Sequence, residues 1–192
     1  MNFPKIYLAS KSPRRRELLT QIGVEFSVLS VEVDESRLPD ERPVDYVQRV
    51  ALAKAQLAWE NLNRKDQLPV LGSDTSVVLG DVILGKPKNN DDARNMLQQL
   101  SGRPHSVMTA VAVVTGSQVL CELNTSEVSF VKLTDADIEW YLSTKEGVDK
   151  AGGYAVQGLA AIFIEQIKGS YSGIMGLPVR ETALLLNKLS GR

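Results

Sequence analysis

Short apolar runs and longer amphipathic stretches alternate along the chain, and their two periods predict different elements. Residues 5–9 (KIYLA) form a short apolar run that predicts a buried strand, followed at once by a serine-rich turn. Ser12 then reads as a helix N-cap with Pro13 at the first helical position, the helix running to about Gln21, and Gly23 sits where a C-terminal cap belongs. Residues 24–33 (VEFSVLSVEV) alternate in part and predict a second strand; residues 34–43 form a polar loop, and Pro43 opens a long helix from about Val44 to Asn61. Residues 68–87 read as a strand continuing into a hairpin turned at Gly80-Asp81. A capped helix follows, with Asn90 as N-cap, Asp91 and Asp92 in its first turn and Gly102 beyond its end.

Residues 105–116 and 118–133 predict two paired strands. Thr134 caps a short helix, with Asp137 three residues on in a near capping box. Residues 149–158 (DKAGGYAVQG) are a glycine-rich loop, 160–169 a strand, and Pro178 opens a last helix to about Leu189. Helices and strands interleave, yet some strand pairs are hairpins. The pattern therefore predicts a mixed α/β sheet covered by helices rather than a purely parallel one. No Gly/Ser/Pro linker divides the 192 residues, so the expectation is one domain, 1–192, with lobes around a cleft.

Composition narrows the function classes. A formal net charge of −1 gives no general attraction to nucleic acid or to a membrane surface. One cysteine, Cys121, and one histidine, His105, exclude an internal disulfide framework and a Cys/His zinc cluster. No segment has the apolar length of a membrane span and the first residues lack a signal pattern, so a cytoplasmic setting is expected. A Ser-His-Asp mechanism would have to use His105, and no G-x-S-x-G elbow occurs; no G-x-x-x-x-G-K-[ST] loop is present either. His105 and Cys121 are read as structural.

Against this neutral background the run Arg14-Arg15-Arg16 is local and odd. A helix N-terminus already carries roughly half a positive charge and attracts anions. Three added cations repel it unless an anion fills the space. Arg14 and Arg15 are the ligand candidates, with the hydroxyls of Ser10 and Ser12, and Arg16 is expected to be solvated, since successive helical residues point about 100° apart. Taken alone, the run serves equally well as a phosphate site or as a surface helix with an unoptimised start.

Lys54 lies seven residues after Val47, on the apolar face of the long helix, so its ammonium either snorkels at the edge or points into a cleft. Asp74 sits inside an apolar strand, where a carboxylate needs a cation or metal unless it is a turn residue after Gly72. Lys86, beyond the hairpin, is placed to return toward Asp74. Asp34 and Glu35 form an acidic pair in the polar loop, Asp34 being read as solvated. Cations, hydroxyls and carboxylates without a thiolate or imidazole cluster suit a polyphosphate and a hard divalent cation.

These residues resemble a known family. The segments LASKSPRRRELL (8–19), VDE (33–35), ALAKA (51–55), LGSDTSVVL (71–79), GKP (85–87), LSGRPHSVMTAV (100–111), DKAGGYAVQG (149–158) and GLPVRET (176–182) are similar to those of Maf-type nucleoside triphosphate pyrophosphatases. The resemblance implies an α/β fold of the Maf and inosine triphosphate pyrophosphatase-like kind: a mixed twisted sheet with flanking helices and two lobes around a deep cleft. It implies hydrolysis of a nucleoside triphosphate to the monophosphate and pyrophosphate, dependent on a divalent metal, Mg²⁺ or Mn²⁺, and a homodimer. Asp74 matches the family's catalytic aspartate and Glu35 its second acidic position, the pair implied to hold the metal. Ser10, Arg14, Arg15, Lys54 and Lys86 match its phosphate-contacting positions. Arg14, Thr75 and Gln157 occupy the positions that vary with substrate, and the trio looks like the YhdE branch, which prefers dTTP and UTP and takes modified pyrimidine nucleotides. Gln157 offers a donor and an acceptor to a pyrimidine edge. Lys11 departs from the family, which more usually has a small residue there. The alternatives are the sister branch acting on 7-methyl-GTP, a broad-specificity enzyme, or a regulator of septum formation acting by partner binding. Net charge and the lack of a basic stripe argue against a nucleic-acid partner.

Overall fold

The computed structural model describes residues 3–63 and 68–189; the ends of the expected 1–192 domain lie outside them. Among these residues seven strands form one sheet: β1 (Ile6–Leu8), β2 (Phe26–Val28), β3 (Val70–Leu79), β4 (Val82–Leu84), β5 (Pro104–Val114), β6 (Val119–Phe130) and β7 (Ile164–Lys168). The order is β2-β1-β3-β5-β6-β7, with β4 folded back on β3. β2, β1 and β3 are parallel and the other pairings antiparallel, so the sheet is mixed. Among the described residues six α-helices cover it: α1 (Pro13–Gln21), α2 (Pro43–Glu60), α3 (Asn90–Leu100), α4 (Asp135–Ser143), α5 (Tyr171–Met175) and α6 (Val179–Leu189).

Strand alternation separates two packing faces at one end of the sheet. Ile6, Leu8, Leu71, Val111 and Val113 pack with Leu18, Leu19, Leu185 and Leu186 of α1 and α6. Val70, Ala110, Ala112 and Val114 pack on the other face against Val47, Ala51, Ala55 and Ala58 of α2. Small residues let α2 lie very close. A Cβ added at Gly72 would stand 2.4 Å from the Ala51 carbonyl oxygen and 2.7 Å from the Ala55 nitrogen. A third cluster, at the far end of β3 and β5, joins Leu97 and Leu100 of α3 to Phe130, Tyr141, Tyr154 and Phe163.

Three local expectations need correction. The strand expected over 24–33 stops at Val28, because β1 ends at Leu8 and, beyond the Leu29 N–H bond to the Leu8 carbonyl (2.9 Å), offers it no further ladder. The cap of α3 is Asn89, not Asn90; its side chain accepts the Asp92 N–H at 2.9 Å, starting the helix one residue sooner. The strand expected over 160–169 splits into a 3₁₀ turn, Leu159–Phe163, and β7, because the Glu146 carboxylate takes the Leu159 and Ala160 N–H groups. Helix α5, which the sequence pattern did not predict, carries Gly173 within its five residues, ends on Gly176 and gives no periodic signal. The Thr134 capping box forms as expected, with the Asp137 carboxylate bonding back to the Thr134 N–H.

Candidate active site

The sheet has a gap, and the gap makes the site. β1 pairs with β3 only at Val70 and Leu71, and β4 pairs with it only from Val77 to Leu79. Between them β3 keeps β5 on one side and opens on a cleft of about 810 Å³ on the other. The gap lies beyond the carboxyl end of β1, where the chain turns into α1, the usual place for a ligand in an open α/β sheet. Asp74, Thr75 and Ser76 line this cleft.

Alternation sends neighbouring side chains to opposite helices. Asp74 points to α2, where Lys54 Nζ lies 2.8 Å from its Oδ1 and 2.6 Å from Glu35 Oε1. Asp74 is buried, 8% exposed, whereas Glu35 stands at the rim with 45% of its side chain exposed. Burial pushes the Glu35 carboxyl up, but the Lys54 hydrogen bond and the charges of Lys54, Lys86 and Arg15 outweigh it and hold the carboxyl below its ordinary value. Tyr46, two turns before Lys54, donates its hydroxyl to the Glu35 carbonyl at 2.9 Å and so fixes the loop that presents Glu35. Burial first, then the charges of Asp74 and Glu35, push the Tyr46 phenol up to about 12.

Ser73 and Thr75 point the other way. Ser73 donates to the Gly176 carbonyl at 3.0 Å. Arg15 donates from Nε to that carbonyl at 2.8 Å, from Nη1 to Ser10 Oγ at 3.1 Å and from Nη2 to Thr75 Oγ1 at 3.4 Å. All three partners are neutral, so its charge is unspent. Burial lowers the Arg15 pKa, against the opposing pull of Asp74 and Glu35. Ser10 Oγ also accepts the Ser12 N–H, at 3.2 Å, which tightens the turn into α1.

Six cations line the cleft, Lys11, Arg14, Arg15, Lys54, Lys86 and Lys150, against four carboxylates, Glu32, Glu35, Asp74 and Asp149. In a chain of net charge −1 that surplus of two marks an anion site. A family model described as Maf-like protein matches residues 5–189. The chain belongs to the Maf family. Curated relatives agree over nearly the whole length. A dTTP/UTP pyrophosphatase of Pseudoalteromonas atlantica is 50% identical over 186 residues, covering 96% of this chain and 97% of that protein. Proteins of the same name from Pasteurella multocida and Nitrosospira multiformis are each 48% identical, over 188 and 194 residues, covering 95% and 96% of this chain and 94% of each relative.

All the residues named from the Maf resemblance line one cleft: Ser10, Arg14, Arg15, Glu35, Lys54, Asp74, Thr75, Lys86 and Gln157. They are not equally engaged. Arg14 pairs with Glu17 at 3.2 Å, one turn along α1. Lys86 lines the cleft without an ion pair among the described residues; it acts on Glu35 through space. Lys11 is exposed, 3.9 Å from Glu32. Arg16 is exposed and outside the cleft, and Asp34 is exposed, its carboxylate accepting the Ser36 N–H at 2.8 Å. His105 is buried behind the cleft wall, its Nε2 2.8 Å from the hydroxyl of the cleft-lining Tyr154, and does not itself line the cleft. Cys121 is part-buried and also lies outside it.

The sequence reading missed Tyr46, Ser73, Thr109 and the Gly176 carbonyl. Tyr46 was within reach, since 46, 50 and 54 share a helix face. Thr109 and Gly176 carry no signal before the strand register and the α5 fold are known. Among the described residues no group of three or more His, Cys, Asp or Glu side chains is placed to hold a metal. Glu35 and Asp74 nevertheless supply two hard oxygen donors converging on one cation, Lys54. That fits Mg²⁺ or Mn²⁺, which take one or two carboxylates and complete their shell with water and substrate phosphates. No described helix is long and apolar enough to cross a membrane.

Proposed function

We propose that this chain hydrolyses nucleoside triphosphates, dTTP and UTP by preference, to the nucleoside monophosphate and pyrophosphate, clearing unwanted nucleotides from the pool. The observation that carries the reading is a buried aspartate, Asp74, on the floor of a cleft with a surplus of cations. Relatives about half identical over nearly their full length and named dTTP/UTP pyrophosphatases support the substrate.

The residues divide the work by position. Arg14, Arg15, Lys54 and Lys86 bind the triphosphate at the helix start, and the Ser10 turn adds hydroxyl and backbone donors. Attack by water at the α-phosphorus makes pyrophosphate the leaving group, whose charge the same cations stabilise. Asp74 Oδ1 is engaged by Lys54, and no described residue hydrogen-bonds Oδ2, which is left to take a proton from the attacking water. Glu35 and Asp74 would hold the divalent cation, which when bound neutralises phosphate charge and lowers the pKa of water. Gln157, in the loop across the cleft, faces the base with one donor and one acceptor.

Product analysis with dTTP, UTP and 7-methyl-GTP, each with Mg²⁺ or Mn²⁺ and with chelator, tests this. Metal-dependent release of pyrophosphate and monophosphate from dTTP and UTP is expected. Turnover of 7-methyl-GTP instead would move the chain to the sister branch. Release of single phosphate, or no turnover of any, would overturn the reading in favour of a partner-binding protein.

A further inference from the structure

Thr109 lies in β5 directly opposite Thr75, fully buried and outside the cleft lining. Its Oγ1 is 2.7 Å from the Gly173 carbonyl oxygen and 3.0 Å from Thr75 Oγ1. A hydroxyl has one proton to give, and a carbonyl has none. If Thr109 gave its proton to Thr75, two bare acceptors would face each other at 2.7 Å. The proton of Thr109 therefore goes to Gly173, and the contact with Thr75 forms only if Thr75 donates to Thr109. Arg15 Nη2, a donor only, then meets a lone pair of Thr75. The bonds run one way: Arg15 to Thr75, Thr75 to Thr109, Thr109 to the Gly173 carbonyl. The Gly176 carbonyl takes Arg15 Nε, so one short segment, 173–176, holds the guanidinium at two corners. That segment is itself pinned, the Gly173 N–H bonding to Ser170 Oγ and the Ser170 N–H to Ser126 Oγ.

We propose that Thr109 is a positioning residue for the phosphate clamp: by fixing the direction of the Thr75 hydroxyl it presents Thr75 to Arg15 as an acceptor and so aims the guanidinium. Thr75 thereby serves the phosphates through Arg15 rather than the base by donating to it. This rests on the reading of Arg15 as a phosphate ligand.

The test compares the wild type with Thr109→Val, Thr109→Ser, Thr75→Val and the double valine variant. Calorimetric binding of inorganic pyrophosphate and steady-state kinetics on dTTP, UTP and CTP are measured beside the melting temperature. Thr109→Val and Thr75→Val should each weaken pyrophosphate binding and raise KM by roughly tenfold, as expected for losing one hydrogen bond to a charged group. The order of preference among the three bases should not change. Thr109→Ser should restore wild-type values, and the double variant should be no worse than either single one. Thr75→Val leaves the Gly173 carbonyl satisfied and carries the test if Thr109→Val does not fold. Unchanged pyrophosphate affinity in Thr75→Val, an altered base preference, or a serine variant as impaired as the valine one would overturn the proposal. If the wild type turns over no nucleotide, the proposed function falls, while the pyrophosphate affinities still decide the role of Thr109.

Discussion

Lys54 Nζ stands 2.8 Å from Asp74 Oδ1 at the floor of the cleft, and the same ammonium reaches Glu35 at 2.6 Å. One cation thus holds together two carboxylates from different elements, one buried and one at the rim. Replacing Asp74 by Asn keeps the shape and leaves Lys54 paired with Glu35, so the fold should survive. Turnover of dTTP should fall by on the order of 10³ or more, the scale of a lost general base or metal ligand, while KM moves little. Steady-state kinetics with a melting curve on the same sample checks both halves. Near wild-type turnover would remove Asp74 from the mechanism.

The shared lysine also bears on metal binding. Lys54 occupies the point where Glu35 and Asp74 converge. Two carboxylates with a resident ammonium make a poor site for a free divalent ion. Pyrophosphate or nucleotide supplies further oxygens and gives Lys54 another anion to bind. Mn²⁺ should therefore bind the free protein weakly and tighten on the order of tenfold or more when pyrophosphate is present, a coupling of ordinary size. The free Mn²⁺ resonance signal measures this directly, and Glu35→Gln should abolish most of the coupling. Equal affinity with and without pyrophosphate would exclude it.

Gly72 brings the two halves of that pair together. Its missing Cβ lets β3 press against α2 at Ala51 and Ala55, one turn around Lys54. Gly72→Ala meets backbone, which has no rotamer to yield, and should cost about 1–3 kcal/mol, the scale of overpacking. For a chain of this size that is a fall of roughly 2–12 °C in melting temperature. Gly116→Ala, whose Cβ meets only a Trp59 ring atom at 3.6 Å, is the control and should melt like the wild type.

What the sequence made legible follows from where the information lies. Asp74 and Lys54 could be picked out because each breaks an apolar pattern, and a charge among buried residues needs a partner. Pro13, Pro43 and the Thr134 box mark helix starts through local chemistry alone. Thr109 and the Gly176 carbonyl stayed hidden: one is an ordinary strand residue until register sets it opposite Thr75, and the other is a main-chain atom. The strand expected over 160–169 failed at its start because Glu146, more than ten residues away, captures the N–H groups of Leu159 and Ala160. The gap in the sheet depends on three separate strand lengths, which no local pattern encodes.

Glu146 carries a prediction of its own, because it anchors the wall of the cleft. Its carboxylate accepts the Tyr141 hydroxyl at 2.9 Å and the Leu159 N–H at 3.0 Å, and a Cβ at Gly158 would lie 2.0 Å from its Oε1. Gly158→Ala must push that carboxylate away and shift Gln157, the adjacent residue. KM for dTTP and UTP should rise and discrimination against CTP should shrink, with a smaller change in kcat. Glu146→Gln keeps an oxygen for Leu159 and should act in the same direction but more weakly. Parallel kinetics on the three nucleotides decide it; a loss confined to kcat would place Gln157 away from the base.

His105 contributes to stability rather than chemistry, and its environment sets how stability depends on pH. It is 3% exposed, edge-on to Phe130 and Tyr154, and burial lowers its pKa to about 4 against some support from the Arg103 backbone. The unfolded chain, with an ordinary value of 6.5, takes up the proton first. The neutral buried ring therefore gives its full contribution above pH 6.5, and that contribution is lost as pH falls toward 4. At 1.36 kcal/mol for each pH unit between those values the loss is roughly 3 kcal/mol. His105→Gln keeps a hydrogen-bonding partner for Tyr154 and carries no titrating ring. Its melting temperature should fall less than that of the wild type between pH 6.5 and 4, with the gap between the two curves constant above pH 7. Subtracting the curves removes the carboxylates common to both proteins. Parallel curves across the whole range would mean that His105 titrates alike in the folded and the unfolded chain, and turnover at neutral pH should be the same for both.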